Sequence, residues 1–166
     1  MEKFLSIFRE NNINISWVSI FVGYILKIIN KDDVVLFAER YLSEHKYCNY
    51  LISELILNKD DCDEILKKIV EKSFNRIPNE NEEVWNFEKQ KWRFGLLVKL
   101  SSENLKIGDL LYRIADIYAQ FGYPSDMKNI IYYSPPTDGY DPIKHTQSQR
   151  LPLIEAGACK SEKHRW

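Results

Sequence analysis

Apolar positions recur at helical spacing along almost the whole chain, and strand-type alternation bounded by tight Asn-Gly or Asp-Gly turns is missing apart from a single Asp138-Gly139. The pattern predicts an all-α fold, a single-domain bundle of about seven to eight helices packed largely as antiparallel pairs, with a Pro-rich C-terminal loop. Phe4, Leu5 and Phe8 give a short first helix. Asn14 or Ser16 can cap a second that runs through Trp17, Ile20, Phe21, Tyr24, Ile25 and Ile28. Asp32 and Asp33 are expected to cap a third, containing Val35, Leu36, Ala38 and Leu42, and Tyr47 to Leu57 makes a fourth. After a break at Lys59 to Asp61, a fifth runs from Asp61 to Phe74 with Ile65, Leu66, Ile69 and Val70 as its stripe; acids open it and lysines lie towards its end, the order a helix dipole favours. Glu83 to Leu100 reads as a longer helix with Val84, Trp85, Phe87, Trp92, Leu96 and Leu97, in which Gly95 is either a weak point or a close-packing site. Ile107 to Phe121 follows, with Leu110, Leu111, Ile114, Ile117 and Tyr118 inward and Gly122 placed to cap its end, and Met127 to Tyr132 is one more short helix.

Two stretches break the periodicity. Arg76 to Glu83 is a polar loop in which Pro78 bars helix at Ile77, and Pro135, Pro136, Gly139 and Pro142 exclude a continuous helix near the end of the chain. The domain is expected over residues 1–156, with 157–166 a basic C-terminal tail carrying Lys160, Lys163 and Arg165. A chain of 166 residues buries roughly two thirds of its unfolded surface, enough for a core without covalent staples. Cys48, Cys62 and Cys159 are odd in number and widely spaced, which points to free thiols in a reducing, cytoplasmic setting. The MEKFLSIFRENN start does not resemble a secretory signal. Ile13 to Ile29 is short for a membrane span and is interrupted by Asn14, Ser16, Ser19 and Lys27, so it reads as a buried helix and no membrane partner is expected.

Charge changes the picture more than composition does. The net charge is −1, yet residues 32–83 carry 13 acids against 7 bases, a local −6. No basic patch of the kind that follows a phosphate backbone is visible outside the tail, so direct nucleic-acid binding is not expected. An acidic middle suits a basic protein partner instead.

Candidate chemistry is sparse. His45 and Cys48 have helical metal-ligand spacing, but a structural zinc takes about four ligands and no second pair is present; no metal and no cofactor are expected. A Cys–His nucleophile has no local signature, and six glycines are scattered singly, without a phosphate loop. The carboxylate clusters Asp32/Asp33, Asp60/Asp61/Asp63/Glu64 and Glu80/Glu82/Glu83 fall at expected helix starts, where capping and the helix dipole explain them better than general acid–base work. No enzymatic activity is expected. Tyr132, Tyr133 and Tyr140 flank the Pro135-Pro136 pair with Asp138 and Asp141, and these rings serve equally well as loop packing or as interface anchors.

Ile15-Ser16-Trp17, Gly23-Tyr24 and Ala38, and above all the run Tyr118-Ala119-Gln120-Phe121-Gly122-Tyr123-Pro124-Ser125-Asp126-Met127 leading into Ile131 to Pro136, resemble a bacterial family of small uncharacterised all-helical proteins. That family includes proteins taken to be immunity proteins of contact-dependent growth inhibition and polymorphic toxin systems, and the resemblance spans roughly residues 13 to 140. It implies a cytoplasmic toxin inhibitor that occludes the active site of a cognate toxin domain, with a basic nuclease, an RNase, as the preferred target. Asp60, Asp61, Asp63, Glu64, Glu80, Glu82 and Glu83 would then steer the encounter, and Trp85, Tyr132, Tyr133 and Tyr140 would anchor it, with Asp138 among the contacts. A helical scaffold or adaptor with no toxin partner is the alternative. An enzyme is the third reading, and it would require His45, Cys48 or a carboxylate cluster to converge in a pocket.

Overall fold

The computed structural model describes residues 1–45 and 49–131, and their regular structure is entirely helical. Along the chain run α1 (Glu2–Glu10), α2 (Trp17–Ile25), α3 (Lys31–Glu44), α4 (Tyr50–Leu57), a 3-10 turn over Lys59–Asp61, α5 (Cys62–Phe74), α6 (Glu83–Ser101), α7 (Ile107–Gln120) and a 3-10 segment over Ser125–Ile130. They gather into two compact units, Met1–Gly95 and Leu96 onward, and the division falls inside α6. The proline-rich segment expected near the C-terminus and the 157–166 tail lie outside the described residues. No described helix is long and apolar enough to cross a membrane.

Local chemistry sets the helix starts. Ser16 caps α2 through a reciprocal box in which its Oγ accepts from the Ser19 amide and Ser19 Oγ accepts from the Ser16 amide. The cap of α3 is Asn30 rather than Asp32 or Asp33. Its side chain accepts from the Asp33 amide at 3.0 Å while Asp33 Oδ2 accepts from the Asn30 amide at 3.1 Å, so Asp33 closes the box from inside the helix. Asn49 caps α4, which begins at Tyr50; the expected start at Tyr47 lies outside the described residues.

Helix ends follow a shared device. In α1, α2 and α7 the last turn closes with paired amide bonds to carbonyls in that turn: Asn12 to Arg9 and Ile13 to Phe8, Lys27 to Tyr24 and Ile28 to Gly23, Gly122 to Ala119 and Tyr123 to Tyr118. This Schellman arrangement places Asn12, Lys27 and Gly122 at positive φ, and it stops α2 at Ile25 short of Ile28.

In the first unit α2 packs on α3 and α5, and α4 on α3 and α5, around Val22, Val34, Leu55, Leu66 and Val70. Trp92 of α6 is fully buried, with Phe4 and Phe8 edge-on to its ring at 5.4 Å. Its indole Nε1–H donates to the Ser19 carbonyl at 2.7 Å. The ring lies so close to α2 that a Cβ on Gly23 would overlap it, and a Cβ on Gly95 would sit 2.8 Å from the Phe8 ring. Gly95 is therefore a close-packing site. In the second unit Leu111, Ile114, Ile117 and Tyr118 form the buried stripe of α7, and Met127 and Ile131 are buried with them.

Candidate functional site

Two helix starts that are distant in sequence meet in space. Lys31 Nζ donates to the Asp60 carbonyl at 3.2 Å, and Lys59 Nζ donates to Asp32 Oδ1 at the same distance. These contacts join the first turn of α3 to the 3-10 turn that leads into α5, so Asp32 is brought to Asp60 and Asp61 on an acidic face, and Asp63 and Glu64 follow in the first turn of α5. The positive ends of two helix dipoles lie beneath these carboxylates, which eases their crowding. Beside them is a recess of about 560 Å³ lined by Tyr24, Ile28, Lys31, Asp33 and Asp63 among others.

The carboxylates of this face are used unequally. Asp63 accepts from the Tyr24 hydroxyl; burial first, then this bond and the carboxylate charge, push the phenol well above its ordinary range. Glu64 pairs with Lys68 one turn on at 2.7 Å, which holds the glutamate low and the lysine high. Asp61 occupies the cap position of α5 yet makes no side-chain cap bond, contrary to the expectation that this cluster caps its helix. Its carboxylate remains exposed and open to a partner. Asp60 and Asp32 are exposed as well, with Asp32 carrying Lys59 as counter-charge.

The other expected residues are placed differently. Glu80, Glu82 and Glu83 stand at the head of α6, and Glu82 is bound to Arg76, whose hydrogen bond lowers its pKa. Trp85, expected as an anchor, is 4% exposed and packs edge-on against Phe21; its indole belongs to the core and is removed from the set of surface anchors. The 3.6-residue period that marks α6 as a helix does not say on which side of the surface Trp85 falls. Tyr132, Tyr133, Asp138 and Tyr140 lie outside the described residues, as does Cys48. His45 stacks on Tyr41 at 4.0 Å. In the sequence Asp32 has only a capping role and Tyr24 falls on the second helix with no tie to the carboxylates, because the contact between residues 31–32 and 59–60 is tertiary and leaves no local signal.

Among the described residues no three His, Cys, Asp or Glu side chains converge as a metal-holding group. Cys62 is fully buried, and burial ahead of the Asp63 charge raises its thiol, as for a cysteine packed in a core. What the face offers is electrostatic: several exposed carboxylates on rigid helix starts, suited to a cationic surface.

The sequence profile of a family described as an uncharacterized protein conserved in bacteria (DUF2247) matches residues 5–156. The chain belongs to that family. No curated protein and no solved structure matches it.

Proposed function

We propose that this member of the DUF2247 family is an immunity protein that binds a cognate bacterial toxin in the cytoplasm and neutralises it by covering its active site. The observation that carries this reading is the union of the α3 and α5 starts into one acidic face held by Lys31 and Lys59. Carboxylates gathered this way raise the encounter rate with a basic partner and mimic the charge of a phosphate chain, so the preferred target is a nuclease, an RNase, with a groove lined by Lys and Arg. Asp60, Asp61, Asp63 and Glu64 do the steering, and Glu80 and Glu83 add a second acidic group at the head of α6. Inhibition of this kind needs a complementary surface and no catalytic group.

The test is calorimetry of the purified chain with the toxin fragment encoded immediately upstream of its gene, at two salt concentrations. Nanomolar affinity, about −12 kcal/mol, that weakens clearly with salt is the expected result. Absence of binding at both salt concentrations overturns the reading.

A further inference from the structure

A second cavity, of about 620 Å³, opens in the first unit away from the acidic residues, between α1, the loop after it, α3 and the start of α6. Its volume is in the range of small-molecule pockets. One wall is a ladder of rings. Trp17 meets Phe37 edge-on at 4.9 Å and Tyr41 at 5.3 Å, and Tyr41 carries the His45 ring stacked on it. Glu88 of α6 also lines the cavity and is one of two buried polar or charged side chains among the described residues, at 5% exposure. Its Oε1 is held by Lys91 Nζ at 2.9 Å, and that lysine also donates to the Asn14 carbonyl. Its Oε2 is buried and receives no hydrogen bond among the described residues. A buried carboxylate oxygen without a donor is costly and rare in a native fold, so such an atom on a side chain that lines a ring-walled cavity marks a place for a donor to enter.

Charge decides what kind of donor. Lys91 already neutralises Glu88, Arg9 and Arg40 stand on the cavity lining, and among the described residues Arg40 alone of these two is paired with a carboxylate, that of Glu44. A cationic ligand would enter a lining that has no negative charge to spare. We propose that this cavity binds a planar aromatic small molecule bearing one neutral N–H or O–H donor, the ring packing along the Trp17–Phe37–Tyr41 wall and the donor completing Glu88 Oε2. The inference is independent of toxin binding and of the acidic face.

Indole and 1-methylindole differ at the one atom that matters, and phenol and anisole form a second such pair. Titration of the unaltered protein, followed by amide NMR shifts and calorimetry, is expected to show saturable indole binding with shifts centred on Tyr41, His45 and Glu88. Loss of the donor in 1-methylindole is expected to weaken binding about tenfold, the usual worth of a hydrogen bond to a charged acceptor. Glu88→Gln, which presents an amide donor where Oε2 stood, should abolish the preference for indole. Equal affinity for the two indoles, tighter binding of benzylamine than of indole, or no saturation at about 10 mM, roughly ten times the 1 mM dissociation constant at the weak end of the affinity scale, overturns the proposal. The paired ligands decide the matter on the unaltered protein even where Glu88→Gln does not fold.

Discussion

Adding one methyl group to a glycine has opposite outcomes at two positions of this chain. At Gly23 the new Cβ would overlap the fully buried Trp92 ring, and nothing in the core can yield without moving a helix. Gly23→Ala should lower stability by about 1–3 kcal/mol, the ordinary cost of overpacking. At Gly108, near the start of α7, there is nothing within 4 Å, and the same change should raise stability by about 0.5–1 kcal/mol through helix propensity. Chemical denaturation of both variants measures the pair. In the sequence the two glycines look alike, since each lies in a helical period and only the tertiary neighbour separates them. Glu82 gives a pH-dependent counterpart. Its carboxyl is lowered in the folded chain by Arg76, so its contribution is present above the ordinary glutamate value and is lost as pH falls through the folded one. Arg76→Ala should move the Glu82 titration, read by carbonyl NMR, upward and flatten the acid limb of the stability curve; an unmoved titration would refute the pairing.

At the scale of elements, much of the fold is legible in the sequence because helix stripes depend on local spacing. The stripe Ile65, Leu66, Ile69 and Val70 is buried as its spacing requires, the break at Lys59–Asp61 falls where the polar run puts it, and the loop expected over Arg76 to Glu83 ends as α6 begins at Glu83. Boundaries were less legible. Asp32 and Asp33 were plausible caps by residue type, but an Asn–x–x–Asp box starting one residue before the helix satisfies two amides at once, and this settles the cap on Asn30. The end of α2 was hidden for a related reason, because Lys27 adopts a left-handed conformation that nothing in its side chain advertises. A β-carbon is strained there, and Lys27→Gly should stabilise the protein by up to about 1 kcal/mol, as a rise in the denaturation midpoint with an unchanged slope. A fall in midpoint would mean that the lysine side chain contributes more than its backbone costs.

For the whole molecule, the candidate site was legible as charge and illegible as shape. The count of acids over residues 32–83 identifies an acidic middle, but not that Asp32 joins Asp60 and Asp61 while Trp85 retreats into the core. On the proposed reading, Asp32→Asn, Asp60→Asn and Asp61→Asn together should slow association with the toxin about tenfold or more at low salt and flatten its salt dependence, leaving dissociation nearly unchanged. Stopped-flow rates across a salt series test this, and a rate indifferent to the three changes would move the contact elsewhere. The bond from the Trp92 indole to the Ser19 carbonyl has a consequence of another kind. It spans 73 positions, and the ring it carries fills the notch at Gly23 between Phe4 and Phe8. A ribosome delivers both phenylalanines and the notch long before it delivers the tryptophan. Until α6 clears the exit tunnel, the nascent N-terminal segment lacks the ring that fills this notch, so the core can be completed only late in the chain's own synthesis.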